Sequence, residues 1–103
     1  MSIQDKLRTV YTQLNTIEGA KVYHYEKPEK QKAPYVVWME DSTESFNADN
    51  RRGEYQVHGT IDVYSQTEFD ALFDAVPNVL DNAELLSVQY EDGLIHYEYE
   101  FSV

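Results

Sequence analysis

The sequence predicts a single α+β domain over residues 1–103. It should be a two-layer sandwich, with two helices on one face of an antiparallel β-sheet, in the order α-β-β-β-α-β-β. Three observations predict this. Apolar residues recur at helical spacing in two separate stretches, 3–17 and 69–80. Residues 54–63 and 86–103 alternate apolar with polar, the period of a half-buried strand. Asp92-Gly93 joins two such runs as a two-residue hairpin turn. A chain of 103 residues holds one core of modest size.

In the first element, Ile3, Leu7, Val10, Tyr11 and Leu14 form one apolar stripe, with Ile17 closing it. Ser2 is the expected N-cap, with Asp5 in the first turn, and Gly19 the expected stop. A short strand follows over 21–25. The segment 26–34 (EKPEKQKAP) mixes two prolines with three lysines and is read as an exposed loop. Tyr35 to Glu40 is rich in β-formers and predicts a strand buried on both faces. The polar segment 41–53 is read as a long loop or an extended hairpin tip, with Phe46 its only large apolar residue.

From Glu54 onward, Tyr55, Val57, Ile61 and Val63 point one way, with Gly59 at the skipped position. Gln56, His58, Thr60 and Asp62 point the other. Residues 65–68 (SQTE) have the capping-box pattern ahead of a helix carrying Phe69, Leu72, Phe73, Val76 and Leu80 on one face. Pro77 predicts a kink or an end near Val76. In the last hairpin a two-residue turn pairs Glu91 with Leu94, Tyr90 with Ile95, Val88 with Tyr97 and Leu86 with Tyr99. All the apolar pairs then share one face. The other face is polar, acidic and open to solvent or to a partner.

Composition excludes several kinds of chemistry. With no cysteine there is no disulfide framework, zinc–thiolate site or thiol nucleophile. No apolar run approaches the roughly 20 residues of a membrane helix, and no apolar signal core opens the chain, so a cytoplasmic protein is expected. No nucleophile motif or phosphate-cradling glycine loop is present. His58 and His96 fall on the polar face near Asp62 and Glu98. No spacing brings two histidines together, and they are read as ordinary strand residues rather than metal ligands. Neither an enzyme nor a cofactor or metal site is expected. Tyr35, Trp38 and Met39 suit a core strand better than a binding hot spot.

Charge says more. Residues 1–52 hold all eight Lys and Arg and eight acids. Residues 53–103 hold eleven acids and no Lys or Arg, and so carry the whole net charge of −11. Such a field repels nucleic acid. It suits a basic partner, or the basic half of another copy in a head-to-tail contact. Arg51 and Arg52 in the long loop, with Lys27, Lys30 and Lys32 in the earlier one, are the candidate contacts for an acidic surface. Phe46 is the candidate apolar contact.

Several passages together resemble a known family: KLRTVYTQL leading into KVYHYEKP, the proline before YVVWME, ADN, GTIDVYSQTEFD, and SVQYEDGLIHYEYEF. They are similar to the small tail-completion or minor tail proteins of phages and prophages of Gram-positive bacteria. These are the tail-to-head joining proteins of long non-contractile tails, alike in fold to lambda-type tail terminators. The resemblance implies a structural protein of the virion tail, assembled in the bacterial cytoplasm. It would cap the tail tube as a ring, typically of six, with the tail-tube protein and the head-connector protein as partners. It implies no cofactor, no nucleic acid and no membrane. The free chain is then expected to be a monomer or weak oligomer. The alternative from charge alone is a small acidic inhibitor that mimics DNA and binds a nuclease or repressor.

Overall fold

A computed structural model of the chain describes residues 2–45 and 55–103. The elements run α1 (Ile3–Leu14), β1 (Val22–His24), β2 (Tyr35–Ser45), β3 (Tyr55–Ser65), α2 (Leu72–Val79), β4 (Glu84–Glu91) and β5 (Leu94–Ser102). The class and the element order match the expectation from sequence. The five strands form one sheet in the spatial order β1-β2-β3-β5-β4. One departure is directional. β1 runs parallel to β2, so the sheet is mixed rather than antiparallel. The turn-rich 26–34 loop carries the chain from the end of β1 back to the start of β2, which a tight hairpin would not do.

Helix α1 starts as expected. Ser2 Oγ accepts from the Asp5 N–H (3.1 Å), and Asp5 reaches back to the Ser2 N–H, completing a capping box. These bonds hold the Asp5 carboxyl below its usual range, the Ser2 hydroxyl first among the causes. The helix ends sooner than the apolar stripe suggests. The Thr16 and Ile17 N–H groups bond three residues back, and Gly19, with φ +75°, lies in the following turn rather than at the cap.

Both helices lie on one face. Val10 and Leu14 of α1 and Leu72, Phe73 and Val76 of α2 pack on Val36, Trp38, Ile61, Val63, Tyr99 and Phe101 of the sheet. Gly59 sits directly beneath Phe101. A Cβ there would lie 2.7 Å from the ring and would run into the Met39 carbonyl. The skipped apolar position is therefore a packing requirement of the Met39 carbonyl and the Phe101 ring together.

The link from β3 to α2 departs from expectation. Phe69 is 92% exposed, at φ +60°, and α2 begins only at Leu72. Ser65 does not cap from a helical position. Its buried hydroxyl accepts from the Thr67 N–H (3.0 Å) and donates to Asp70 Oδ2 (2.6 Å). Asp70 Oδ1 accepts from the Leu72 N–H (2.9 Å), so Asp70, one residue before the N-cap Ala71, ties down the helix start. Pro77 does not end the helix, which continues to Val79.

Segment 41–53 divides. Asp41 to Ser45 continue β2 past a bulge at Asp41 and pair with residues 55–58, as an extended hairpin would. Phe46, Arg51 and Arg52 lie outside the described residues. The β4–β5 hairpin keeps its expected register from Glu91/Leu94 to Ser87/Glu98. A bulge at Leu86 then shifts it, so Leu85 rather than Leu86 faces Tyr99. Asp92 (φ +54°) and Gly93 (φ +79°) take the left-handed conformations a type I′ turn requires.

Candidate functional site

Among the described residues the sheet has two free edges, β1 and β4, and they differ in chemistry. β4 is the edge strand on the acidic side. On its helix-facing side Leu85, Val88 and Tyr90 alternate, but neither helix reaches them. Tyr90 is 72% exposed, and Leu85, Leu86 and Val88 are each about half exposed. This apolar strip continues the row Val22–Val36–Val63–Tyr97–Val88, whose central members belong to the core. Side chains that alternate like a core strand but stay wet form a candidate interaction surface. The alternation in the sequence puts Val88 and Tyr90 on the apolar face of the sheet but does not show that they stay uncovered. The eight-residue α2, which packs on β5 through Phe73, leaves them uncovered.

The opposite edge is β1. His24 lies between two rings, Trp38 at 3.9 Å and Tyr25 at 3.8 Å, both nearly parallel to it. Its Nε2–H donates to the Glu40 carboxylate at 3.1 Å. Tyr25 forms the exposed outer ring of this stack. A hydrogen bond to Glu40, then desolvation, pushes its hydroxyl pKa up.

The 26–34 loop flanks this edge on the face away from the helices. The Tyr23 hydroxyl bonds to Gln31 Oε1 (2.5 Å), and Lys27 Nζ lies 5.3 Å from the centre of the Tyr35 ring. Lys30 and Lys32 flank Gln31 and are exposed, while Lys27 is half-buried. The three lysines therefore do gather at one place. They belong to the loop beside β1, at the far side of the sheet from Glu84 of β4.

The helix-free face is ordered in rows. Tyr35, Tyr64 and His96 stack side by side, at 4.8 and 4.2 Å. Burial, then the nearby Asp62, pushes the Tyr64 hydroxyl up to about 12. His96 Nε2–H donates to Asp62 Oδ1 at 2.7 Å. His58 bonds through Nδ1 to Ser102 Oγ (2.7 Å), with Glu44 3.5 Å from its other nitrogen. Each histidine thus has its own acid, and the three pairs are separate. Among the described residues no group of three His, Asp or Glu side chains could hold a metal ion. Asp62, Glu98, Glu100 and Glu84 populate the remaining rows toward β4.

Among the described residues no helix is long and apolar enough to cross a membrane. No protein-family model matches the chain, and no curated protein matches it.

Proposed function

We propose that this chain is a structural protein of a phage or prophage tail. It completes or caps the tail tube and joins it to the head connector, working as a ring of copies and without cofactor or catalysis. The observation that carries this reading is the uncovered apolar strip Leu85–Val88–Tyr90 on a free sheet edge, opposite an edge flanked by lysines. A protein that acts alone gains nothing from a half-exposed core strand, whereas one that assembles needs such a surface. The passages that resemble tail-completion proteins support it as well. The test is light scattering coupled to size exclusion, on the chain alone and after mixing with its tail-tube protein. A ring-sized complex is the expected result. A chain that stays monomeric with the tube protein present would overturn the reading.

A second reading, a DNA-mimicking inhibitor, draws on the carboxylates of Asp62, Glu98, Glu100 and Glu84 arrayed on the helix-free face. It predicts binding to a nuclease or repressor that added DNA competes away.

A further inference from the structure

We propose that copies of this chain pair head to tail through their sheet edges, β4 of one copy against β1 of the next. The inference rests on the ring proposed above and names the surfaces that build it.

Strand direction allows it. β1 runs with β2, β3 runs against β2, β5 against β3, and β4 against β5. β4 is therefore antiparallel to β1, and a second copy set beside the first in the same orientation continues the sheet with an antiparallel pair. Such pairing satisfies both free rows of backbone groups. The lengths suit each other. The bulge at Leu86 leaves Ser87–Glu91 as the regular free ladder of β4, and β1 offers Val22–His24.

The register suits as well. The row Val22–Val36–Val63–Tyr97–Val88 crosses the whole sheet, so in-register continuation places Val88 beside Val22 of the next copy. On the helix side, the exposed Leu85 and Val88 then meet the next copy's β1 edge, with its exposed Tyr25 ring. On the opposite side, Tyr23 and the loop it anchors through Gln31 bring Lys30 and Lys32 toward Glu84 and Glu98. Apolar groups meet apolar groups, and lysines meet carboxylates.

Charge also argues against the two-fold alternative. Antiparallel pairing of β4 with itself would set Glu84 of one copy near Glu91 and Asp92 of the other, with no base in residues 53–103 to offset them. Like charges directly opposite are destabilising. A heterologous contact of this kind closes into a ring when the rotation per copy allows.

The test uses the absence of native cysteine. Val88→Cys and Val22→Cys chains are mixed, oxidised mildly and compared with each variant alone. The expected result is a Val88–Val22 crosslinked product forming about tenfold or more faster than either self-crosslinked product. Rates at the level of random collision would overturn the proposal. A second measurement reverses charge on each side: Lys30→Glu with Lys32→Glu in one chain, Glu84→Lys with Glu98→Lys in another. In the crosslinking background each reversal alone should slow trapping, and combining both in one chain should restore it. Trapping that ignores charge would also overturn the proposal. If trapping succeeds but the tube protein is never bound, the tail reading fails and the edge pairing stands.

Discussion

The hydroxyl of Tyr99 in β5 donates a hydrogen bond to the backbone carbonyl of Phe73 in α2. That carbonyl would ordinarily accept from the N–H of residue 77, four positions on. Residue 77 is a proline and has no N–H to give. A sheet tyrosine thus supplies the donor the helix lacks, and this lets α2 run past Pro77 to Val79. Phe73 also stacks on Tyr97 at 4.1 Å, so the helix is held by two neighbouring rings of one strand.

Tyr99→Phe should therefore cost about 1–3 kcal/mol, the cost of leaving a buried carbonyl unpartnered. Adding Pro77→Ala returns the N–H, so the double variant should lose less than Tyr99→Phe alone. Urea unfolding of the four proteins measures this. Additive losses would show that the two residues do not share that carbonyl.

Gly59→Ala should destabilise by about 1–3 kcal/mol through overpacking. Shortening Phe101 to Leu should not rescue it, because the added Cβ also meets the Met39 carbonyl, which is backbone. Denaturation midpoints of the single and double variants test this. A full rescue would place the constraint on the ring alone.

Alkali should weaken the fold. Burial, the leading cause at both sites, pushes the Tyr64 and Tyr99 hydroxyls up to about 12, from an ordinary value of 10.0. Below that ordinary value both states keep their protons, and the full contribution is present. Between the two values the unfolded chain sheds protons that the folded chain retains. Stability must then fall as pH rises. Urea midpoints across this range, together with phenolate absorbance, should show late-titrating tyrosines, with one fewer in Tyr99→Phe. The opposite sign holds at the N-terminus. Asp5, held below its ordinary 3.8, stabilises above that value and loses the contribution as pH falls. Ser2→Ala should raise the Asp5 pKa in an NMR titration.

Val88→Thr with Tyr90→Ser should leave stability within about 0.5 kcal/mol, since both side chains are already largely exposed. On the proposed tail reading, the same pair should abolish complex formation with a tube protein. A large drop in thermal stability would instead assign the strip to the core.

Much of this fold is legible in the sequence. The Asp92-Gly93 turn and the alternation on either side set the hairpin register up to Ser87, because turn geometry and side-chain period had to agree. The Ser2/Asp5 cap is equally local. What stays hidden depends on contacts far along the chain. The rescue of Pro77 comes from a hydroxyl 26 residues from the carbonyl it serves. The direction of β1 follows from how a proline-containing loop closes, and alternation looks the same in either direction. The exposure of Val88 and Tyr90 depends on where α2 stops over the sheet, and their own spacing matches that of buried residues. The lysine cluster is visible as composition, but its place beside β1 emerges only when Tyr23 reaches Gln31.

If copies pair through their sheet edges as proposed, the brevity of β1, only three residues, sets how firmly they can hold one another. In that proposed pairing, a longer outer strand with an equally open ladder would let the acidic edge of each chain capture the next on contact, and stray filaments would form. Three residues offer few backbone bonds, so in the proposed edge pairing a contact between two free chains would be short-lived, long enough to be trapped but not to persist. A surface that gathered several copies at once would then be needed to make the association last, and the stub of a strand would act as a timer as well as an edge.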